Sequence, residues 1–294
     1  MRLRILISVA SACVTLSTVF EPGVVAACTN GIYLDAARFV SGVPIEELTQ
    51  RLRESNVDHI YVYRLDTSDA AHRKHLTRAI GELRERIKRV VFVGMIGKIG
   101  YPETTLTRAQ AIWDLGFDGV QLDFEPVASG NRNLLAALRL LRDRKPEGKI
   151  VGLAGYLVSD SSLPHPGKGK RLLVWDADYY RQLIPFIDDL MVMNYDTAIR
   201  SREQYVESTV SQTRQIANLI DRSRVRLNIG IITDVPGRTG MSDRKVENLS
   251  SALEGIRAVW PKCPDDAGVA LFTWDGMNES YWRELAQWSG NRID

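Results

Sequence analysis

Phe117-Asp118-Gly119-Val120-Gln121-Leu122-Asp123-Phe124-Glu125-Pro126 is the stretch on which the reading of this chain turns. As a β-strand its side chains alternate, so Gln121, Asp123 and Glu125 share one face while Val120, Leu122 and Phe124 share the other. The apolar face needs cover, which turns the polar face toward the packed interior of a closed parallel sheet. Carboxylates there are costly unless they lie near the open end and have partners. Glu125, last before Pro126, is expected at the C-terminal rim, where barrel enzymes keep their chemistry. A half-exposed strand with a solvated acidic face is the plainer alternative.

On both sides of this stretch the same rhythm of short apolar strand, turn and amphipathic helix recurs. Strand candidates lie at 31–35, 59–65, 89–95, 118–124, 149–155, 189–195, 225–232 and 268–274. Helix candidates lie near 45–55, 69–87, 106–115, 131–144, 176–188, 201–221, 242–259 and 279–289, and Thr105, Asp176, Ser201 and Ser242 stand where capping residues should. Strict alternation of these pairs predicts an α/β fold, a single-domain (β/α)₈ TIM barrel over residues 28–294. An open doubly wound sheet would be the alternative, but no Gly-x-Gly-x-x-Gly follows the first strand. The longest strand-to-helix loops, 157–175 and 233–241, should emerge on the rim that carries Glu125 and shape a cleft there. His165 and Lys168 to Lys170 read as solvated loop residues.

The totals narrow the function classes. With 294 residues, 45% hydrophobic and 25% charged, the chain can bury one large core. Its 38 basic and 36 acidic residues are well mixed for a net charge of +2, so no nucleic acid is expected as partner. Four His and three Cys, without a CxxC or HExxH pattern, leave almost no material for a metal site, and no cofactor is implied.

Met1-Arg2-Leu3-Arg4 followed by an apolar run from Ile5 to Phe20 has the form of a secretory signal, predicted over 1–27. The run is short of the ~20 residues that a spanning helix needs, so no integral membrane domain is expected in the mature chain. An uncleaved anchor is the alternative. Secretion, or a periplasmic or cell-surface location, follows. Val25-Ala26-Ala27-Cys28 also resembles a lipobox, which would anchor the chain through a lipid on Cys28. Cys28 and Cys263 precede the first and eighth strands, neighbours in a closed barrel, so the two are candidates for a disulfide across the closure. Lipidation and that disulfide exclude each other.

Other strand ends add polar and aromatic groups to the rim. Met193-Asn194-Tyr195-Asp196 ends the sixth strand, Trp274 the eighth, Tyr33 and Asp35 the first, and Tyr156 the fifth. Paired carboxylates beside a tyrosine hydroxyl and an indole suit the holding of a sugar ring and protonation of its glycosidic oxygen. Trp274 and Tyr195 as barrel filling is the bland alternative.

Asp118-Gly119-Val120-Gln121-Leu122-Asp123-Phe124-Glu125 resembles the DGxDxDxE signature of glycoside hydrolase family 18, the chitinase-like family. Met193-Asn194-Tyr195-Asp196 resembles its MxYD segment, and Trp274 its eighth-strand tryptophan; together the motifs span residues 31–289 in the family's order. The third strand departs, with Val93-Gly94-Met95-Ile96-Gly97 where the family often has Ser-x-Gly-Gly.

The resemblance implies hydrolysis of N-acetylated glycans with retention, the substrate's own acetamido oxygen acting as nucleophile. Glu125 would be the general acid, Asp123 would stabilise the acetamido group, and Tyr195 would hydrogen-bond its carbonyl. Asp196, Trp274, Met193, Tyr33 and Tyr156, with Gln121, would line the substrate site. Gln121 replaces the family's middle Asp; it is expected to donate a hydrogen bond to Asp123 and keep it ionised. Two other readings stay open: a sugar-binding protein that has lost turnover, and a barrel glycosidase with an enzyme nucleophile.

Overall fold

The barrel strands are Val-, Ile- and Leu-rich runs buried on both faces, as strands enclosed by helices must be. The structure, a computed structural model, describes residues 28–41, 44–87, 90–97, 100–159, 172–234 and 243–290. The strands are β1 (Asn30–Asp35), β2 (Val57–Tyr63), β3 (Val91–Ile96), β4 (Gly119–Leu122), β5 (Ile150–Gly155), β6 (Leu157–Val158), β7 (Val174–Trp175), β8 (Asp189–Met193), β9 (Arg226–Ile232) and β10 (Ala267–Phe272). The helices are α1 (Ala36–Ser41), α2 (Ile45–Glu54), α3 (Ala70–Arg86), α4 (Pro102–Asp114), α5 (Arg132–Arg144), α6 (Ala177–Leu183), α7 (Arg202–Leu219), α8 (Leu249–Val259) and α9 (Glu279–Trp288).

Eight strands close into one barrel in the order β1-β10-β9-β8-β5-β4-β3-β2, every pairing parallel. This is the (β/α)₈ architecture. The short β6 and β7 pair with each other inside the loop after β5. That pair and α1 were not legible as elements, being too short for periodicity to declare them. Among the described residues no helix is long and apolar enough to cross a membrane.

Local chemistry explains the boundaries that moved. Thr105 does not cap α4: the helix begins a turn earlier with Pro102 at its first position, and buried Thr105 hydrogen-bonds back to the Tyr101 carbonyl at 3.2 Å. Asp176 and Ser201 do cap α6 and α7, accepting from Tyr179 and Gln204 backbone amides. α8 starts at Leu249 with Asn248 as its cap, because 244–246 forms a turn instead of a first helical turn. Ser242, the signal segment 1–27, and most of the loops 157–175 and 233–241, with His165 and Lys168 to Lys170, lie outside the described residues.

The inward side chains at the barrel's centre form a polar column. The Tyr61 hydroxyl donates to Asp189 Oδ2 at 2.7 Å, and Asn228 Nδ2 donates to Tyr61 and to Asp189 Oδ1. Tyr61 then stacks on Tyr33, ring centroids 4.6 Å apart. Gly31 makes room for this, since a Cβ there would lie 2.5 Å from the Tyr61 ring. Asp189 is thus buried with its donors supplied, as a carboxylate in that place requires.

At the N-terminal end of the strands, next to Asp189, Asp188 ties β5 and β8 to α5. It accepts from Lys145 Nζ at 2.7 Å, from the Val151 amide at 2.9 Å and from Arg142. Burial pushes its carboxyl up, but Lys145, the Val151 amide and Arg142 together hold it below the ordinary aspartate value. The unfolded chain therefore binds the proton more readily. The stabilisation is complete above the ordinary aspartate range and is lost as pH falls through the lowered folded value. Asp188→Asn should flatten the stability-versus-pH slope on the acid side in urea melts and cost about 2 kcal/mol at neutral pH. A slope equal to wild type would show that Asp188 contributes no such linkage.

The disulfide of Cys28 and Cys263 joins the segments that lead into β1 and β10, with Cα atoms 5.4 Å apart across 235 residues of chain.

Candidate active site

β4 ends at Leu122, earlier than alternation through Glu125 would have it, so the carboxylates sit in the turn that leaves the strand. The Asp123 amide still donates to the Ile96 carbonyl at 3.1 Å, which keeps the chain in line with β3. Beyond it the Glu125–Pro126 peptide is cis. Trp175, fully buried, donates from its indole nitrogen to the Val127 carbonyl at 3.0 Å and so pins the turn that carries Glu125. Glu125 itself is exposed.

A cavity of about 160 Å³ opens at this rim. Glu125, Tyr156, Met193, Tyr195 and Asp196 line it, and Leu157, Leu172 and Leu173 supply an apolar wall. Three strand ends thus converge on one space: β4 brings the carboxylate, β5 brings Tyr156, and β8 brings Met193, Tyr195 and Asp196. The Tyr156 ring stands edge-on to Trp175 at 5.3 Å. Burial raises the Tyr156 hydroxyl well above its usual range, and the Glu125 charge adds to this, so the phenol stays protonated beside the carboxylate. Tyr195 lies nearly parallel to Phe272, with centroids 6.0 Å apart.

Other residues expected in the site stand below or beside it. Tyr33 and Gln121 are completely buried and are not among the residues that line the cavity. The Tyr33 hydroxyl donates to Gln121 Oε1 at 2.7 Å. Burial above all raises the Tyr33 hydroxyl well above its usual range, and Tyr61, Tyr195 and Asp123 add to this. Gln121 does not donate to Asp123: its amide nitrogen is buried and makes no hydrogen bond. The reason is the Tyr33 bond, which claims the other end of the amide and fixes its orientation. Trp274 lies outside the lining of the cavity and packs on Trp282 at 5.2 Å. It sits in a single 3₁₀ turn, Trp274–Gly276, whose close approach to the β9 exit needs glycine: a Cβ on Gly276 would lie 2.3 Å from Thr233 Oγ1. Among the described residues no cluster of His, Cys, Asp and Glu could hold a metal ion.

Sequence reasoning missed Trp175 and Phe272. Trp175 carried one usable signal, its position immediately before the Asp176 cap, where a buried aromatic often staples a helix start. Phe272 lies within the eighth-strand candidate and carries no signal of its own in the sequence.

No family model matches the chain, and no curated protein matches it. Solved structures do. An endo-beta-N-acetylglucosaminidase from Cordyceps militaris superposes with TM-score 0.53 at 14% identity, over 90% of both chains. A glycoside hydrolase family 18 chitinase from Flavobacterium johnsoniae gives 0.52 at 10% identity, over 90% of this chain and 94% of that one. A chitinase-like agglutinin from Robinia pseudoacacia gives 0.54 at 12% identity, over 89% and 100%. At such identities the likeness is one of fold. In fold, this chain is a (β/α)₈ barrel like those of the family 18 chitinases.

Proposed function

We propose that this chain is an exported glycoside hydrolase that cleaves glycosidic bonds beside N-acetylhexosamine units, with Glu125 as general acid. One placement carries the reading: the Glu125 carboxylate, two residues beyond Asp123, shares a cavity at the C-terminal rim with Tyr195 and Asp196. A TIM barrel keeps its chemistry at that rim. The motif resemblance and the fold point the same way.

In the first step Glu125 gives its proton to the glycosidic oxygen as the bond to the anomeric carbon breaks. The substrate's acetamido oxygen attacks that carbon from the other side, and the ring it forms carries positive charge that Asp123 balances. Tyr195 donates to the same acetamido oxygen beforehand and aims it. In the second step water attacks the anomeric carbon, its proton returning to Glu125, and the acetamido group is restored with configuration retained. The usual rule that relates carboxylate separation to stereochemistry does not apply, since the nucleophile belongs to the substrate.

Chitin-, peptidoglycan- and exopolysaccharide-like glycans all offer the required unit. Export is supported by the signal-like segment and by the Cys28–Cys263 bond, which fits an oxidising compartment. That bond favours the free form over one lipid-anchored through Cys28.

A thiazoline analogue of the cyclised acetamido intermediate should inhibit competitively. Trapping of a covalent sugar on a carboxylate instead would replace this mechanism with an enzyme nucleophile. Tyr195→Phe should lower kcat about a hundredfold, as loss of one oriented donor does, with KM little changed. Equal kcat in the two proteins would remove Tyr195 from the reaction. The agglutinin's fold likeness gives a second reading, sugar binding without turnover. Binding of N-acetylated oligomers with no product released would decide for it.

A further inference from the structure

Tyr195 and Asp196 reach the cavity on segment 194–200, which leaves β8 and has no regular secondary structure before α7. Its backbone is strained. Asp196 and Ala198, neither of them glycine, have φ of +57° and +62°. Left-handed conformations cost such residues ~1–2 kcal/mol each, and they persist only where the surroundings hold them.

Thr197, between the two, is fully buried and shows what holds them. Its amide and its hydroxyl both donate to Glu247 Oε1, at 3.1 Å and 2.7 Å, and its Oγ1 accepts from the Ile199 amide at 3.2 Å. Glu247 precedes the Asn248 cap of α8, is 1% exposed, and is anchored by its own amide to the Asp243 carbonyl at 2.6 Å. The near end of the segment is clamped separately: Tyr205 donates to the Asn194 carbonyl at 2.7 Å, and Asn194 Nδ2 donates to Thr209 at 2.9 Å. A carboxylate buried this deeply is expensive unless its hydrogen bonds repay the desolvation. Here it meets two donors of one residue, at the centre of the strained turn.

We propose that Glu247 is a positioning residue of the active site: through Thr197 it imposes the two left-handed residues that turn Tyr195 and Asp196 toward the cavity. It does not line the cavity itself. The proposal rests on the reading that Tyr195 and Asp196 contact substrate.

Thr197→Val removes the hydroxyl at nearly constant volume, Thr197→Ser keeps it, and Glu247→Ala removes the acceptor. Two readouts are needed, amide hydrogen exchange of residues 195–199 and steady-state hydrolysis of N-acetylglucosamine oligomers well below the melting temperature. Thr197→Val and Glu247→Ala should speed exchange in that stretch tenfold or more and lower kcat about a hundredfold, the scale of a misplaced reacting group. Thr197→Ser should restore both. Faster exchange with kcat within twofold of wild type would overturn the proposal, leaving Glu247 a structural residue. Unchanged exchange would overturn the clamp itself. If wild-type protein hydrolyses no N-acetylated glycan, the functional reading fails and takes the positioning role with it, while the exchange data still report on the clamp.

Discussion

Replacing Glu125 by Gln is expected to lower kcat by about 10²–10⁴-fold, the range that a positioned general acid contributes. Glutamine keeps the shape and hydrogen-bonding reach of the side chain but has no proton to give to the departing oxygen. Because Glu125 is exposed at the rim, the substitution should leave stability within about 0.5 kcal/mol of wild type. KM should move little, since the cavity formed by Tyr156, Met193, Tyr195 and Asp196 is untouched. Kinetics alongside a thermal melt separate the two quantities. Retained turnover in a folded Glu125→Gln protein would end the assignment of the acid. A loss accompanied by a lower melting temperature would mean that the turn held by Trp175 and Val127 had collapsed.

The second large effect concerns the closure of the barrel. Cys28 and Cys263 enclose nearly the whole fold, with a sequence separation of 235. Loop-closure entropy makes such a cross-link worth about 5 kcal/mol in the chain-entropy picture, a value measured disulfides often fall below. Cys28→Ser with Cys263→Ser should therefore lower the melting temperature by roughly 10 °C. Reductant should do the same to the wild type and nothing to the double variant. Equal melting temperatures for oxidised and reduced protein would show that β1 and β10 pair as well without the bond.

Much of this was legible because it depends on local pattern. Apolar runs of strand length, alternating with amphipathic helices, are imposed by a barrel that buries its strands on both faces, so all eight barrel strands could be placed to within two or three residues. Glu125 and Tyr195 could be placed on one rim because strand ends and motif spacing are also local. What escaped depends on pairs distant in sequence. Gln121 looked like a donor to its neighbour Asp123, yet its orientation is set by Tyr33, 88 residues earlier. Tyr33 looked like a rim residue, but its stacking on Tyr61 draws it into the interior. The Thr197–Glu247 contact joins two loops 50 residues apart, and neither residue stands out in its own stretch. Helix starts failed where a cap-type residue had a competing use: Thr105 bonds backward within α4, a role its side chain fills as readily as capping.

The most direct test of the account is release of chromophore from chromogenic N-acetylglucosamine oligomers by the purified protein, with Glu125→Gln measured beside it across pH 4 to 9. The account predicts turnover by the wild type and loss of it in the variant. Oligomer binding without release, or release undiminished in the variant, would contradict it.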